Sequence, residues 1–361
     1  MPLSRRLTRA AAIAAGLVAL AGLLPALAQE RAPDLRAAYA GPPQTWPEPW
    51  IDPGVAFVEL AAAPSPPPSS PEAELGGRLF RDPLLSADGR VACASCHDLA
   101  HGFSVPEAVG RGIGGVEGRR NPPALFAVAG RARLDWDGGG GTLSARVLAP
   151  LTAADEMGNA GLVPVMARLS ASAHAAAFTR LFGTEGASPR TLAAVLSAYL
   201  ETLDTPTRFD RFMAGDRAAL SETEVAGLHL FRTRARCANC HFGPRLTDEK
   251  FHNLRLSFFG EPAQDLGRFA VTGDANDAGR FRTASLRHVS ESPPFMHNGL
   301  FPTLEGVVNL YDRGGGEVWA RNAREAARPL YREAARRSPH LRPLDLTTGE
   351  KAALVAFLKA L

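Results

Sequence analysis

The chain has 361 residues, of which 45% are hydrophobic and 21% are charged, and its formal net charge at pH 7 is +3. These values exclude a disordered or fibrous protein and predict enough apolar surface for about two globular domains. The small charge excess and the scattered arginines argue against a nucleic-acid-binding groove. With 35 Gly and 29 Pro, the chain is expected to form short helices and long ordered loops rather than a large sheet.

Residues 1–28 have the features of a secretory signal peptide. Three arginines precede an apolar stretch over residues 10–27, and Ala26-Leu27-Ala28 resembles a cleavage site. We therefore expect export to the periplasm, a mature chain that begins near Gln29, and no stable membrane insertion after cleavage. An uncleaved anchor is the alternative, because about 18 apolar residues can just span a bilayer.

The four cysteines occur in two copies of the pattern C-x-x-C-H. The copies consist of Cys93, Cys96 and His97, and of Cys237, Cys240 and His241. This pattern attaches c-type heme, because the thiols add to the porphyrin vinyl groups and the His becomes the proximal ligand of the iron. Two disulfides would be the ordinary use of four cysteines in an exported chain. Two complete motifs instead predict two covalent hemes c, which are attached after export of an unfolded chain.

An internal repeat precedes the heme motifs. Its residues are Gly76, Leu79 and Phe80 in the first copy and Gly227, Leu230 and Phe231 in the second. Each set is expected to lie on an amphipathic helix that leads towards its heme. The repeat therefore predicts two similar modules.

Further helices are predicted over residues 164–180, 189–203 and 304–311. A closing helix over residues 346–361 has one apolar face and is expected to pack across the helix that contains the second copy of the repeat. The predicted fold is mainly α, with two cytochrome c-like heme domains and long ordered loops. The signal peptide (1–28) is followed by an N-terminal domain (29–205) and a C-terminal domain (206–361). Residues 30–70 fit neither heme module.

Several further motifs lie between and after the heme sites. They include Arg120-Asn121-Pro122-Pro123, Trp136-Asp137-Gly138, Asp155-Glu156-Met157-Gly158, Phe209-Asp210-Arg211 and Pro294-Phe295-Met296-His297-Asn298-Gly299. These motifs occur in the order that is typical of the bacterial diheme cytochrome c peroxidase and MauG family. The chain resembles this family over nearly its whole mature length. The resemblance implies a peroxide-reacting heme in the first domain, an electron-transferring heme in the second, and often a calcium ion between them.

The resemblance implies roles for three residues near the first heme. Glu156 matches the family's distal acid–base, and Trp136 would relay electrons between the irons. The glycine-rich loop over residues 109–115 contains no His, so the first heme is expected to be open without prior reduction. Arg146 stands where the family has Gln. It would either stabilise a departing hydroxide and keep Glu156 ionised, or turn away to a propionate or a carboxylate.

For the second heme, the resemblance implies that Tyr311 is the distal ligand. The peroxidase branch has Met at this position and the MauG branch has Tyr, while Met296 is the alternative ligand in this chain. An axial Met raises the reduction potential, whereas a Tyr oxygen favours the oxidised iron. Tyr311 therefore points towards the MauG branch.

Other residues are expected to bind calcium or propionates. By resemblance, the calcium ligands are Asn121 and the carbonyls of Ser292 and Pro294, since hard oxygen ligands suit that ion. Cationic partners are expected for the heme propionates. The candidates are His252, Arg280, Arg287 and His297.

Three functions remain in view. The first is a MauG-like oxidation of a protein or other exported substrate by hydrogen peroxide, through high-valent hemes. The second is a cytochrome c peroxidase that reduces hydrogen peroxide to water with electrons from a small cytochrome c or cupredoxin. The third is a non-catalytic diheme electron carrier. Tyr311 favours the first over the second, and Glu156 favours either enzyme over the carrier.

Overall fold

The computed structural model describes residues 34–361, so the predicted signal peptide lies outside the described residues. In this range the chain is mainly α-helical, which confirms the predicted fold class, and two short strands form a single antiparallel pair. No helix of residues 34–361 combines the length and the apolar character needed to cross a bilayer.

Short helices joined by long loops make up the described residues. The helices are α1 (Leu35–Ala38), α2 (Pro71–Phe80), α3 (Leu143–Arg146), α4 (Ala149–Thr152), α5 (Leu162–Ser170), α6 (Ala175–Phe182), α7 (Pro189–Glu201), α8 (Arg208–Met213), α9 (Glu222–Arg232), α10 (Phe269–Thr272), α11 (Leu304–Asp312), α12 (Ala323–Ala326), α13 (Tyr331–Ala335) and α14 (Thr348–Leu358). The strands are β1 (Phe251–His252) and β2 (Phe281–Arg282). The helices predicted over residues 189–203, 304–311 and 346–361 are confirmed as α7, α11 and α14.

The helix predicted over residues 164–180 is wrong in one respect, because the chain breaks into α5 and α6. At the break, the Ser172 hydroxyl donates to the Leu169 carbonyl at 2.7 Å and accepts from the His174 N–H at 3.1 Å. The His174 ring also contacts the Asp82 carboxylate at 2.7 Å. These local side-chain bonds compete with the helical hydrogen-bond ladder and end α5.

The repeated glycines lie where pairs of helices cross. A Cβ on Gly76 of α2 would lie 1.9 Å from the Val195 carbonyl oxygen of α7. A Cβ on Gly227 of α9 would lie 2.0 Å from the Ala353 carbonyl oxygen of α14. Neither position accepts a larger residue unless the helices separate, because the backbones are in direct contact. The repeat therefore marks two equivalent helix crossings, and α14 packs across α9 as predicted.

The helices of the second crossing begin at sequence-encoded caps. Ser221 starts α9, and its hydroxyl accepts from the Glu224 N–H at 3.3 Å. Thr347 starts α14 and accepts from the Glu350 N–H at 3.2 Å. In both cases the Glu side chain returns a bond to the N–H of the capping residue, which satisfies two donors at each helix start.

Buried apolar side chains form three clusters in the described residues. Two clusters lie within residues 75–200. The third combines residues 209–361 with Tyr39, Trp46 and Leu60. The described part of residues 30–70 is therefore built into the second half of the molecule. Residues 203–207 lie between α7 and α8 without helical structure, and the domain division at residue 205 stays a prediction.

Arg232 of α9 attaches the N-terminal segment to this third cluster. Its side chain is 1% exposed and forms an ion pair with Glu59. It also donates to the Tyr39 hydroxyl at 3.1 Å and to the Pro47 carbonyl at 2.7 Å. A buried guanidinium of this kind is tolerated only when its donors are paired. The N-terminal segment therefore stabilises α9 by pairing Arg232, and Arg232 holds the segment in place.

Candidate heme sites

Both C-x-x-C-H motifs form a short 3₁₀ turn, at Cys93–Ser95 and at Cys237–Asn239. The first motif lines a cavity of 460 Å³ and the second lines a cavity of 230 Å³. The four cysteines are unbridged. Burial raises the pKa of the Cys93 and Cys237 thiols to about 12, which is unlike the lowered pKa of a reactive dithiol.

The histidine ring of each motif is held in one orientation and favours the neutral form. The His97 Nδ1–H donates to the Phe103 carbonyl at 2.9 Å, and the His241 Nδ1–H donates to the Leu246 carbonyl at 3.0 Å. Since a carbonyl can only accept, each ring keeps its Nε2 lone pair for another partner. Burial lowers the pKa of His97 to about 4 and lowers the pKa of His241 as well. Both rings therefore suit a proximal position below an iron.

The donor set of each cavity fits a c-type heme. Each cavity combines a pair of thiols, one oriented His and walls with more apolar than polar surface. The ligand atoms of Cys240, Asp248 and His252 lie within 4.8 Å of one another. Because Cys240 supplies the second thiol of its motif, attachment of heme would remove its sulfur from a separate metal site.

Trp136 lines both cavities. Its indole N–H donates to the Asn121 carbonyl at 2.8 Å, and its ring meets the His297 ring edge-on with 6.5 Å between centroids. The Asn121 N–H in turn donates to the His297 carbonyl at 2.8 Å. The indole is therefore held in one orientation between the regions of the two motifs.

Glu156 and Arg146 line the first cavity together with Cys96 and His97. The Arg146 Nη2 lies 3.8 Å from the Glu156 carboxylate, while its Nε donates to the Asp135 carboxylate at 2.5 Å. Burial raises the pKa of the Glu156 carboxyl above its usual range, and the positive charge of Arg146 only partly offsets this effect. Arg146 thus pairs most closely with Asp135 and still acts on Glu156.

The glycine-rich loop holds the backbone of Glu156. The Ile113 N–H donates to the Glu156 carbonyl at 2.7 Å. A Cβ on Gly112 would lie 2.1 Å from the Asp155 carbonyl oxygen and 2.5 Å from the Glu156 carbonyl oxygen. The loop therefore supports the residue expected to act as acid–base, and Gly112 allows this close approach.

Replacing Arg146 by Gln is expected to move the acidic limb of the peroxide reaction to higher pH. If Glu156 is the acid–base, only its carboxylate form accepts a proton, and the rate is expected to rise as pH increases through the pKa of this residue. Arg146 lowers that pKa, and its removal therefore raises it further. Stopped-flow rates measured against pH for the wild type and R146Q test this, and an unchanged acidic limb would show that Arg146 does not act on Glu156.

Tyr311 and Met296 both line the second cavity. Tyr311 lies in the last turn of α11, and no group within residues 34–361 hydrogen-bonds its hydroxyl. Burial, followed by the thiols of Cys240 and Cys237, raises the pKa of Tyr311. In such an apolar cavity a phenolate needs a cation beside it.

The residues expected to bind calcium line one cavity. Asn121, Ser292 and Pro294 all lie on the wall of the second cavity. The Asn121 side-chain amide donates to the Ala108 carbonyl at 3.1 Å. This contact points the amide nitrogen towards the protein and leaves Oδ1 as the atom for a cation.

The residues expected to contact propionates differ in their freedom to do so. Arg287 lines the second cavity, but it donates to Asp210 at 2.6 Å and to the carbonyls of Ala61 and Pro244. Arg280 lines neither cavity. His252 and His297 line the second cavity, and His252 is held by Asp248 at 2.8 Å.

Sequence reasoning missed the buried Arg131, which lines both cavities. It belongs to none of the recognised motifs. Its position depends on a carboxylate 118 residues further along the chain, Glu249. Local sequence therefore carried no signal for it.

Comparisons with known proteins agree with this geometry. The family described as Di-haem cytochrome c peroxidase matches residues 70–218. The chain is 36% identical to the methylamine utilization protein MauG of Methylorubrum extorquens, over 84% of this chain and 82% of that protein. It is 32% identical to the cytochrome-c peroxidase IdrP1 of Pseudomonas sp. (strain SCT), over 82% of each chain.

Solved protein structures are also similar to this chain. A MauG-like protein associated with microbial copper homeostasis superimposes with a TM-score of 0.71 and 32% identity, over 86% of this chain and 95% of that one. The diheme peroxidase BthA of Burkholderia thailandensis superimposes with a TM-score of 0.68 and 26% identity, over 87% and 94% of the two chains. Together with the two oriented heme motifs, these matches show that the chain belongs to the di-haem cytochrome c peroxidase family and is a diheme oxidoreductase.

Proposed function

We propose that the protein is a MauG-like enzyme that uses hydrogen peroxide to oxidise a protein or another exported substrate in the periplasm. The observation that supports this proposal is Tyr311, which lines the second heme cavity and whose hydroxyl has no hydrogen-bonding protein partner in residues 34–361. An oxygen ligand at this position favours oxidised iron. A centre of that kind is poorly suited to accept electrons from a small donor protein.

A heme held by Cys93, Cys96 and His97 would supply an iron for peroxide binding and the electrons for cleavage of the O–O bond. Glu156 would accept a proton from one peroxide oxygen and return it to the oxygen that leaves as water. Its raised pKa supports this role, because a carboxyl that titrates closer to neutral pH both accepts and releases a proton readily. Arg146, whose Nη2 lies 3.8 Å from the Glu156 carboxylate, would place a positive charge near the oxygen that receives this proton.

Trp136 is proposed to carry electrons between the two centres. Its place on the walls of both cavities supports this role. The hydrogen bond from its indole N–H to the Asn121 carbonyl fixes the ring at 2.8 Å from that oxygen. A fixed ring of this kind keeps the separation of donor and acceptor constant.

The alternative function is a cytochrome c peroxidase that takes electrons from a small cytochrome c or cupredoxin. Met296 favours it, since this residue lines the same cavity as Tyr311 and a Met ligand raises the reduction potential. Relatives carrying the name cytochrome-c peroxidase are as extensively similar as those named MauG.

A calcium ion is proposed at Asn121, Ser292 and Pro294. Their shared position on the second cavity wall and the free Oδ1 of Asn121 support an oxygen site. Elemental analysis of the purified protein is expected to find calcium alongside iron. Iron without calcium would reject the site.

Peroxide consumption in the presence of reduced cytochrome c tests the proposed function. For a MauG-like enzyme, we expect negligible turnover of the cytochrome, together with a spectral change that one equivalent of peroxide produces and that persists. Rapid and saturable oxidation of the cytochrome would instead establish the peroxidase alternative. Horse cytochrome c and an azurin-type cupredoxin should both be used, so that a mismatch with one donor does not decide the result.

A further inference from the structure

Arg131 lies at the junction of the two heme cavities. It lines both of them, and its side chain is only 4% exposed. Its Nε donates to the Glu249 carboxylate at 2.8 Å. The guanidinium is thus held at Nε, while its Nη2 has no partner in the described residues.

The pairing of this guanidinium is incomplete within residues 34–361. The Nη2 of Arg131 is buried and has no hydrogen-bond partner, and the same is true of the Oε2 of Glu249. Arg282 also lines both cavities, but its side chain donates to the carbonyls of Leu134, Asp135 and Thr283 at 2.8–3.0 Å. The side-chain nitrogens of Arg282 are therefore all hydrogen-bonded, whereas the Nη2 of Arg131 has no acceptor.

A buried charged donor without an acceptor is costly, so a native protein supplies one. The groups that belong in these cavities are two c-type hemes, whose propionates are carboxylates. A guanidinium binds a carboxylate through a charge-assisted hydrogen bond. We propose that Arg131 Nη2 binds a heme propionate at the junction, and that the charge of Arg131 raises the reduction potentials of both hemes together.

The charges around Arg131 determine whether its loss raises or lowers the reduction potentials of the hemes. Asp204 and Glu249 act on it as negative charges, and Arg245 acts on it as a positive one. If Arg131 were neutral, the two carboxylates would be left without this cation near both cavities. Negative charge stabilises the oxidised form of a heme, so both potentials would fall.

Replacing Arg131 by Gln is expected to lower both midpoint potentials by about 59 mV or more, which is a tenfold change in the reduction equilibrium of a one-electron couple. R131K keeps the positive charge, and its potentials should stay close to those of the wild type. R245Q removes an equal charge from a neighbouring residue that lines neither cavity, and it should have little effect. Spectroelectrochemical titration of each heme measures these values without reference to turnover.

A further variant, E249Q, is expected to shift both reduction potentials in the opposite direction. E249Q removes the negative charge that pairs with Arg131, so both potentials should rise. E249Q tests the role of the Arg131 charge even if R131Q incorporates less heme. The pyridine hemochrome assay measures the heme content of each variant. A shift confined to one heme in both R131Q and E249Q would overturn the shared role of Arg131, and equal shifts in R131K and R131Q would overturn the role of its charge. The inference depends on the two hemes and not on Tyr311 or the proposed substrate.

Discussion

Replacing Tyr311 by Met is expected to convert the second heme into a centre of higher reduction potential that accepts electrons from cytochrome c. Tyr311 lines the second cavity from the last turn of α11, and its hydroxyl is not committed to another group in residues 34–361. A thioether ligand stabilises reduced iron more than a phenolic oxygen does. We expect the potential to rise by more than about 59 mV, a tenfold change for a one-electron couple.

Two further variants separate the candidate ligands. Y311F removes only the hydroxyl and is expected to abolish the spectroscopic features of an oxygen ligand. M296L is expected to leave the resting spectrum of the second heme as in the wild type. Magnetic circular dichroism and electron paramagnetic resonance provide the measurements. A sulfur signature in the wild type that disappears in M296L would reject Tyr311 and, with it, the proposed MauG-like function.

Replacing Glu156 by Gln is expected to slow the reaction with peroxide by about 10²- to 10⁴-fold, the usual contribution of a positioned acid–base group. The amide has nearly the shape of the carboxyl group but cannot accept the peroxide proton. Glu156 lines the first cavity with His97, and its pKa is raised by burial. Stopped-flow mixing with peroxide gives the rate directly.

A matched control for this change is E117Q. Glu117 is exposed and forms a surface ion pair with Arg111 at 2.6 Å, and it does not line the first cavity. E117Q should react with peroxide as fast as the wild type. If E156Q also reacts at the wild-type rate, a group other than Glu156 transfers the proton.

The sequence was most informative where chemistry depends on neighbouring residues. The C-x-x-C-H motifs predict the two sites, and the repeated glycines predict two equivalent modules. Both signals are short because thioether attachment and close helix contact each need a few residues at fixed spacing. The positions of Glu156 and Tyr311 followed from the family resemblance and not from such local rules.

Long-range contacts explain what the sequence did not predict. Arg131 is placed by Glu249, and the break between α5 and α6 involves a contact from His174 to Asp82. The segment around Tyr39 pairs with Arg232, which lies 193 residues away. Composition identifies none of these pairs, because each depends on how distant segments come together.

The attachment of the N-terminal segment sets an order for assembly. Asn239, inside the second heme motif, accepts the Asp52 N–H at 2.7 Å and donates to the Trp50 carbonyl at 3.0 Å. This contact joins residues that lie 187 positions apart in the sequence, and closing so long a loop is expected to be slow. Asn239 is buried in the folded chain, so we expect a porphyrin to reach Cys237 and Cys240 more easily before residues 50–52 dock. We therefore expect attachment of the second heme to precede the docking of residues 50–52.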